Sequence, residues 1–313
     1  MIRRLRLAVT SALLAASSVA HGQTGVTRPE FHQRFLQLAS RPSLGDSARL
    51  AALFALDWEY TNVESPETAT FVGYPGQEER WTDNSPAAIA RRQRELPDRL
   101  LVLRAIDRRR LNASDQLSFD IFKRSTEESI EGARFPRELL AVTQRDGPQY
   151  LASVLAKMPT TSVADYRRIL ARLAALPAVL AQTRVLLDSG LAVGVTPPRV
   201  TLRDVPAQFD QLVPEAPMES ALLEPFTRFP PAMATADRQR LLADASRIYA
   251  DQVRPAYLAL ASYLRGTYLP KARETIGLSS LPNGRAWYAY NVKLETTTDR
   301  TPAEIHALGL AEV

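Results

Sequence analysis

The sequence contains no cysteine, only three histidines, and four lysines against 35 arginines. Without cysteine there is no disulfide, no thiolate nucleophile and no lipid-modified cysteine behind a leader. A chain exported in this state must be held by a packed core. The roughly 290 residues beyond its leader suffice for one large domain or two smaller ones. Zinc hydrolysis of the helical type needs His-Glu-x-x-His, which puts two imidazoles and a water-activating carboxylate on one face. His21, His32 and His306 have no histidine partner at that spacing, so no metal ligand and no catalytic residue is expected within this chain. Also missing are a Gly-x-Ser-x-Gly elbow, a Gly-x-x-x-x-Gly-Lys-Ser/Thr phosphate loop and a Gly-x-Gly-x-x-Gly turn.

Charge excludes another class. The net charge is +5. Arg3, Arg4 and Arg6 account for three of those charges, and they open a signal-peptide layout: a basic start, an apolar and small stretch from Leu5 to Val19, and cleavage near Gly22. The mature chain then carries only about +2, with acids interleaved, which argues against nucleic acid as a partner. The cluster Arg108-Arg109-Arg110 and the arginine excess read as genomic composition rather than an anion site. Glu127 and Glu128 are adjacent on a helix, point apart, and are expected to be solvated. No second stretch of about 18 apolar residues stands out, so no stable membrane insertion is expected after cleavage. The expected location is periplasmic or secreted.

What is present is helical periodicity. Phe31, Phe35 and Leu38 recur at helical spacing. Asp46 is placed to cap a helix through Leu50, Leu53, Phe54 and Asp57. Asp57-Trp58-Glu59-Tyr60 then reads as its packed end. Ser85-Pro86 opens another helix, divided at Pro97, with Ile89, Leu96, Leu100, Leu103 and Ile106 on one side. Ser114 precedes a helix bearing Leu117, Ile121 and Phe122 and ending at Gly132. Ser162 and Asp165 form a capping pair before a run from Tyr166 to Gly190, interrupted at Pro177. Thr235 precedes a run interrupted at Pro255 and closed by Gly266. Residues 190–231 hold eight prolines and read as a connecting region with a short helix at 205–213. The expected fold is therefore all-α, an elongated multi-helix domain over 23–313.

Two segments depart from this pattern. Leu281-Pro282-Asn283-Gly284 followed by Arg285, Trp287, Tyr288, Tyr290 and Asn291 predicts a short extended segment near 285–293. Those five residues are the candidate substrate contacts, by an edge strand that pairs with a peptide backbone. The alternative is a short hairpin that packs its aromatics onto helices. At the end, Thr301 and Glu304 make a capping box with Pro302 in the first turn, and Ile305, Leu308 and Leu310 begin an apolar face with no stop signal after it. The sequence thus reads as continuing beyond Val313.

The order of these pieces resembles the bacterial DUF885 family. The likeness is carried by Asp57-Trp58-Glu59-Tyr60, Ser65-Pro66-Glu67-Thr68-Ala69-Thr70-Phe71-Val72-Gly73, Arg254-Pro255-Ala256-Tyr257 and Tyr268-Leu269-Pro270-Lys271-Ala272-Arg273. It continues through Leu281-Pro282-Asn283-Gly284 with Trp287-Tyr288, then Thr297, Thr298 and Thr301 to Leu310. The resemblance implies a helical, zinc-metallopeptidase-like protein about twice this long, whose His-Glu-x-x-His lies beyond residue 313. It implies zinc as the cofactor of a complete member, none in this chain, and a missing carboxy-terminal half as its partner. The substrate would be a peptide or small molecule. The expected function is the substrate-cleft half of an exported hydrolase, inactive alone. The alternative is a stand-alone exported helical binding or scaffold module without catalysis.

Overall fold

The computed structural model describes residues 30–313, so the expected leader lies outside the described residues. Every regular element among them is helical. The amino-terminal group is α1 (Phe31–Ser40), α2 (Asp46–Glu64), α3 (Pro66–Val72), α4 (Pro86–Glu95), α5 (Asp98–Arg104) and α6 (Ala113–Gly132). The central group is α7 (Ala152–Ala156), α8 (Val163–Ala174), α9 (Leu176–Val193), α10 (Arg199–Leu202) and α11 (Val205–Leu212). The chain ends with α12 (Thr235–Ile248), α13 (Arg254–Tyr263), α14 (Leu269–Lys271), α15 (Gly284–Thr296) and α16 (Pro302–Glu312).

Local chemistry sets many of the boundaries. Ser85 Oγ accepts the Ala88 N–H, with Pro86 in the first turn of α4. Ser162 and Asp165 satisfy each other's backbone N–H groups in a complete capping box on α8, as Thr301 and Glu304 do on α16. Pro97 separates α4 from α5, and Pro177 sits in the first turn of α9, where a missing N–H costs nothing. Elsewhere the caps differ from expectation. Gly45 rather than Asp46 precedes α2; Asp46 is its first residue and its carboxylate accepts the Asp107 N–H at 3.1 Å. Asn112, not Ser114, caps α6 through the Asp115 N–H. Thr235 is the first residue of α12, not its cap. Helix α9 continues past Gly190 to a left-handed Gly194.

The run from α12 to α14 is the main surprise in this region. It neither breaks at Pro255 nor ends at Gly266. A π-helical turn at Tyr249–Val253 joins α12 to α13, and a second at Leu264–Tyr268 joins α13 to α14. The wider turn before Pro255 absorbs the hydrogen bond that proline cannot make, so the helix continues.

Among the described residues, three apolar clusters form the interior. The largest draws on α7 to α9 and α11 to α13, around Tyr166, Ile169, Leu173, Phe209, Phe226 and Tyr257. A second joins α1, α2, α5 and α6 through Phe31, Phe35, Leu53, Tyr60, Val102 and Phe119. The third is small: Phe135, Val195, Leu281 and Trp287. The expectation of no further apolar stretch of spanning length meets one exception. The α8–α9 run, Val163–Val193, is long and apolar enough by length and composition to cross a membrane. Its Tyr166, Ile169, Leu173, Leu176, Leu180 and Leu187 are spent on the main core instead. On α6 the expectation fails in detail: Phe119 and Phe122 face inward, while Leu117 and Ile121 are exposed.

The extended segment expected near 285–293 is helix α15. Pro282 and a left-handed Asn283 (φ 55°) start the helix instead of turning a hairpin. Trp287, Tyr290, Asn291 and Leu294 recur at i, i+3, i+4 and i+7, so the helical period was present in the sequence. Aromatic β-propensity is a preference for a pleated, half-buried surface, and packing against another element overrides it. Helix α15 closes on Thr297, also left-handed at φ 55°. A β-branched residue is strained there by about 1–2 kcal/mol. Thr297→Gly is therefore expected to raise stability by about 0.5–1 kcal/mol, after glycine's entropy is charged against the gain. A chemical-denaturation midpoint that stays level or falls would show that the threonine side chain contributes more than its backbone costs.

Candidate functional site

Helix α15 packs across the carboxy-terminal end of α6 and the segments that flank it. Trp287 is buried, and its ring stacks on Phe135 with centroids 5.7 Å apart and planes 12° from parallel. Tyr290 lies against the same phenylalanine at 5.3 Å and donates its hydroxyl proton to the Glu128 carbonyl at 2.9 Å. Burial pushes the Tyr290 phenol above its usual range. Two glycines permit the approach. A Cβ on Gly132 would lie 2.3 Å from the Tyr290 hydroxyl, and one on Gly284 would lie 2.1 Å from the Leu278 carbonyl oxygen. The second contact is with backbone, which cannot swing aside.

The five candidate residues therefore divide. Trp287 and Tyr290 anchor α15. Arg285 and Tyr288 face outward three residues apart. Asn291 is half-buried, with its side-chain oxygen unpartnered among the described residues. No strand edge is offered there, so pairing with a peptide backbone is replaced by a helix face carrying a guanidinium and a phenol. Beside this helix, Arg273 braces the floor. Its guanidinium donates to the carbonyls of Thr196, Thr275 and Gly277 and to Ser280 Oγ, and desolvation draws its pKa below the usual arginine value.

A second polar region lies on α1, α2, α4 and α5. Arg34 holds Glu59 with two hydrogen bonds of 2.6 Å. That pairing keeps the Glu59 carboxyl below its usual range. Arg99 pairs with Asp57, and its guanidinium lies 4.4 Å from the Tyr60 ring centroid. Tyr60 donates to Glu95 at 3.0 Å, and its phenol is raised by burial and then by the Glu95 charge. Glu64 pairs with Arg91 and, at 3.5 Å, with Arg92. The Asp57-Trp58-Glu59-Tyr60 block thus sits within α2: Asp57, Glu59 and Tyr60 each hold a different partner, while Trp58 is half-exposed. These pairs join residues 25 to 42 apart in sequence, so helical spacing alone gave no signal for them.

Zinc does not fit the side chains of the described residues. His32 Nδ1 lies 2.8 Å from Asp98 Oδ2, and His306 sits on α16, which buries no residue. Among the described residues no three His, Asp or Glu side chains converge as a ligand set. Glu127 and Glu128 make i,i+4 ion pairs with Lys123 and Arg124. Arg108, Arg109 and Arg110 pair with Asp120, Asp107 and Asp46.

Fold and site together define, over the described residues, an all-helical protein in which α15 closes on the strained Thr297 and the last helix, α16, buries no residue. The chain belongs to the DUF885 family, described as bacterial protein of unknown function, whose family model matches residues 66–313. No curated protein matches the sequence. A solved structure described as "the putative lipoprotein from Colwellia psychrerythraea" shares the fold, with a TM-score of 0.76 at 17% identity over 86% of this chain. The alignment takes in 49% of that protein, so this chain spans about half the length of its structural relative.

Proposed function

We propose that residues 23–313 form the substrate-cleft half of an exported DUF885 hydrolase of the peptidase type. In this reading the zinc centre implied by the family resemblance is supplied by polypeptide outside residues 1–313. The observation that carries the reading is α16. It is fully capped at its start yet buries no residue, leaving Leu308 45% and Leu310 69% exposed. A helix of eleven residues is marginal alone and gains its stability by packing. The half-length match to the solved relative supports a second half as what packs there. Arg285 and Tyr288 on α15 are the chain's contacts with a peptide or small-molecule substrate, while Trp287 and Tyr290 hold that helix in place. Export rests on the leader layout and on the relative's description as a lipoprotein.

The purified chain is expected to cleave no peptide in a mixed library and to retain no stoichiometric zinc after dialysis. Peptide hydrolysis by residues 1–313 alone overturns this reading. A stand-alone binding module is favoured by a different observation: the main cluster is closed without α15 or α16. Under that alternative the chain is monomeric and melts in one cooperative transition, residues 301–313 included. Under the half-enzyme reading, residues 301–313 exchange their amides freely and the chain self-associates through an exposed apolar surface.

A further inference from the structure

A cavity of about 690 Å³ opens between the carboxy-terminal half of α1 and the middle of α2. It is separate from α15 and from the buried ion pairs around Glu64 and Glu95. Its lining is apolar at Leu38, Pro42, Ala52, Ala55 and Leu56. The two alanines keep it open, because any larger side chain on that face of α2 would fill it. The volume lies in the range of small-ligand pockets, which combine an apolar lining with a few polar groups.

Its polar rim is asymmetric. At one end Arg34 and Glu59 neutralise each other through two short hydrogen bonds. At the other end stand Gln37 and Arg41, whose side chains have no partner among the described residues. The end of a helix normally offers its free carbonyls to such a cation. Here Arg49 has taken them: its guanidinium donates to the carbonyls of Leu38, Ala39, Arg41 and Leu44. The Arg41 guanidinium is thus spare, and the rim carries one net positive charge over an apolar trough.

We infer that this cavity binds a carboxylate on an apolar body, with the carboxylate on Arg41 and Gln37 and the body on Leu38, Leu56 and the two alanines. A guanidinium grips a carboxylate with two parallel hydrogen bonds, which sets the orientation of the bound molecule. A fatty acid and the carboxy-terminal end of an apolar peptide share this chemistry. The site stands whether or not the half-enzyme reading holds, since it lies in the amino-terminal helices.

The test is titration of the full chain by calorimetry with octanoate and with acetyl-Leu-Leu, using octylamine as the control. Saturable one-to-one binding of at least one carboxylate is expected, with octylamine at least tenfold weaker. Arg41→Glu should weaken it at least tenfold, and Ala55→Trp should abolish it by filling the trough. Both residues are exposed, so both variants should keep the parent's helix content and melting temperature. Binding of octanoate alone assigns the site to fatty acids; binding of acetyl-Leu-Leu alone assigns it to peptide termini. No saturable binding of either carboxylate overturns the inference. So does binding that survives both substitutions in folded protein, or octylamine binding equal to that of the acids.

Discussion

Arg172→Met is expected to destabilise the protein by about 3–5 kcal/mol, the cost of removing a fully buried donor from oxygens that depend on it, about 1–3 kcal/mol for each one left unsatisfied. Arg172 is fully buried on α8, and its carbon stem and charge reach the segment that follows α2. Its Nε donates to the Arg80 carbonyl at 2.8 Å and its Nη1 to Thr70 Oγ1 at 2.6 Å. Its Nη2 donates to the carbonyls of Pro66 at 3.0 Å and Gln77 at 3.1 Å. The guanidinium also lies 4.8 Å from the centroid of the Trp81 ring, whose indole N–H returns a 2.7 Å hydrogen bond to the Arg172 carbonyl. Burial pulls the Arg172 pKa down to about 10, against the raising effect of Glu67 and Glu78, so the side chain stays charged at neutral pH. Methionine matches much of the stem but takes a donor from four oxygens; the Pro66 and Gln77 carbonyls keep the Thr70 hydroxyl and the Arg80 N–H, whereas the Arg80 carbonyl and Thr70 Oγ1 lose theirs. Lysine keeps the charge but lacks the planar fork, so Arg172→Lys should fall between the two. Urea denaturation reads the effect as a lower midpoint at unchanged slope. Amide exchange should rise first in residues 66–82. A midpoint within about 0.5 kcal/mol of the parent would mean that these hydrogen bonds contribute no net stability.

Trp287→Ala should cost about 3–5 kcal/mol at its own site, the usual range for deleting a large buried aromatic. The global midpoint should move much less. Among the described residues, the cluster it occupies has Phe135, Val195 and Leu281 as its other buried members, and the main core lies elsewhere. Removing the stacked ring takes the floor from under α15, and Tyr290 alone cannot hold it. The expected result is local: residues 284–313 become open to protease and to rapid amide exchange while the rest keeps its protection. A uniform fall in protection across the whole chain would show instead that the three clusters unfold as one.

The helical class and several caps were legible because they depend on residues three or four apart. Ser85, Ser162 with Asp165, and Thr301 with Glu304 act as their spacing predicts. The aromatic stretch at 285–293 misled for a physical reason: β-propensity measures fit to a half-buried surface, and here that surface belongs to Phe135 and the end of α6. A nearer signal existed in the i, i+3, i+4, i+7 pattern from Trp287 to Leu294. The two π-helical turns have no comparable signature, since Pro255 and Gly266 are the residues that ordinarily end a helix. Arg172 could have been flagged by position, three residues beyond Ile169 on the apolar face of α8, although its partners about 90 to 106 residues away could not.

The proposed half-enzyme reading requires further polypeptide that carries the zinc centre. The most direct test is to sequence the genomic DNA beyond codon 313. On the proposed reading, the reading frame, or one displaced by a single shift, continues into a helix bearing His-Glu-x-x-His. A clean stop after Val313 with no such motif in the adjoining DNA would contradict it and leave the stand-alone binding module as the reading to pursue.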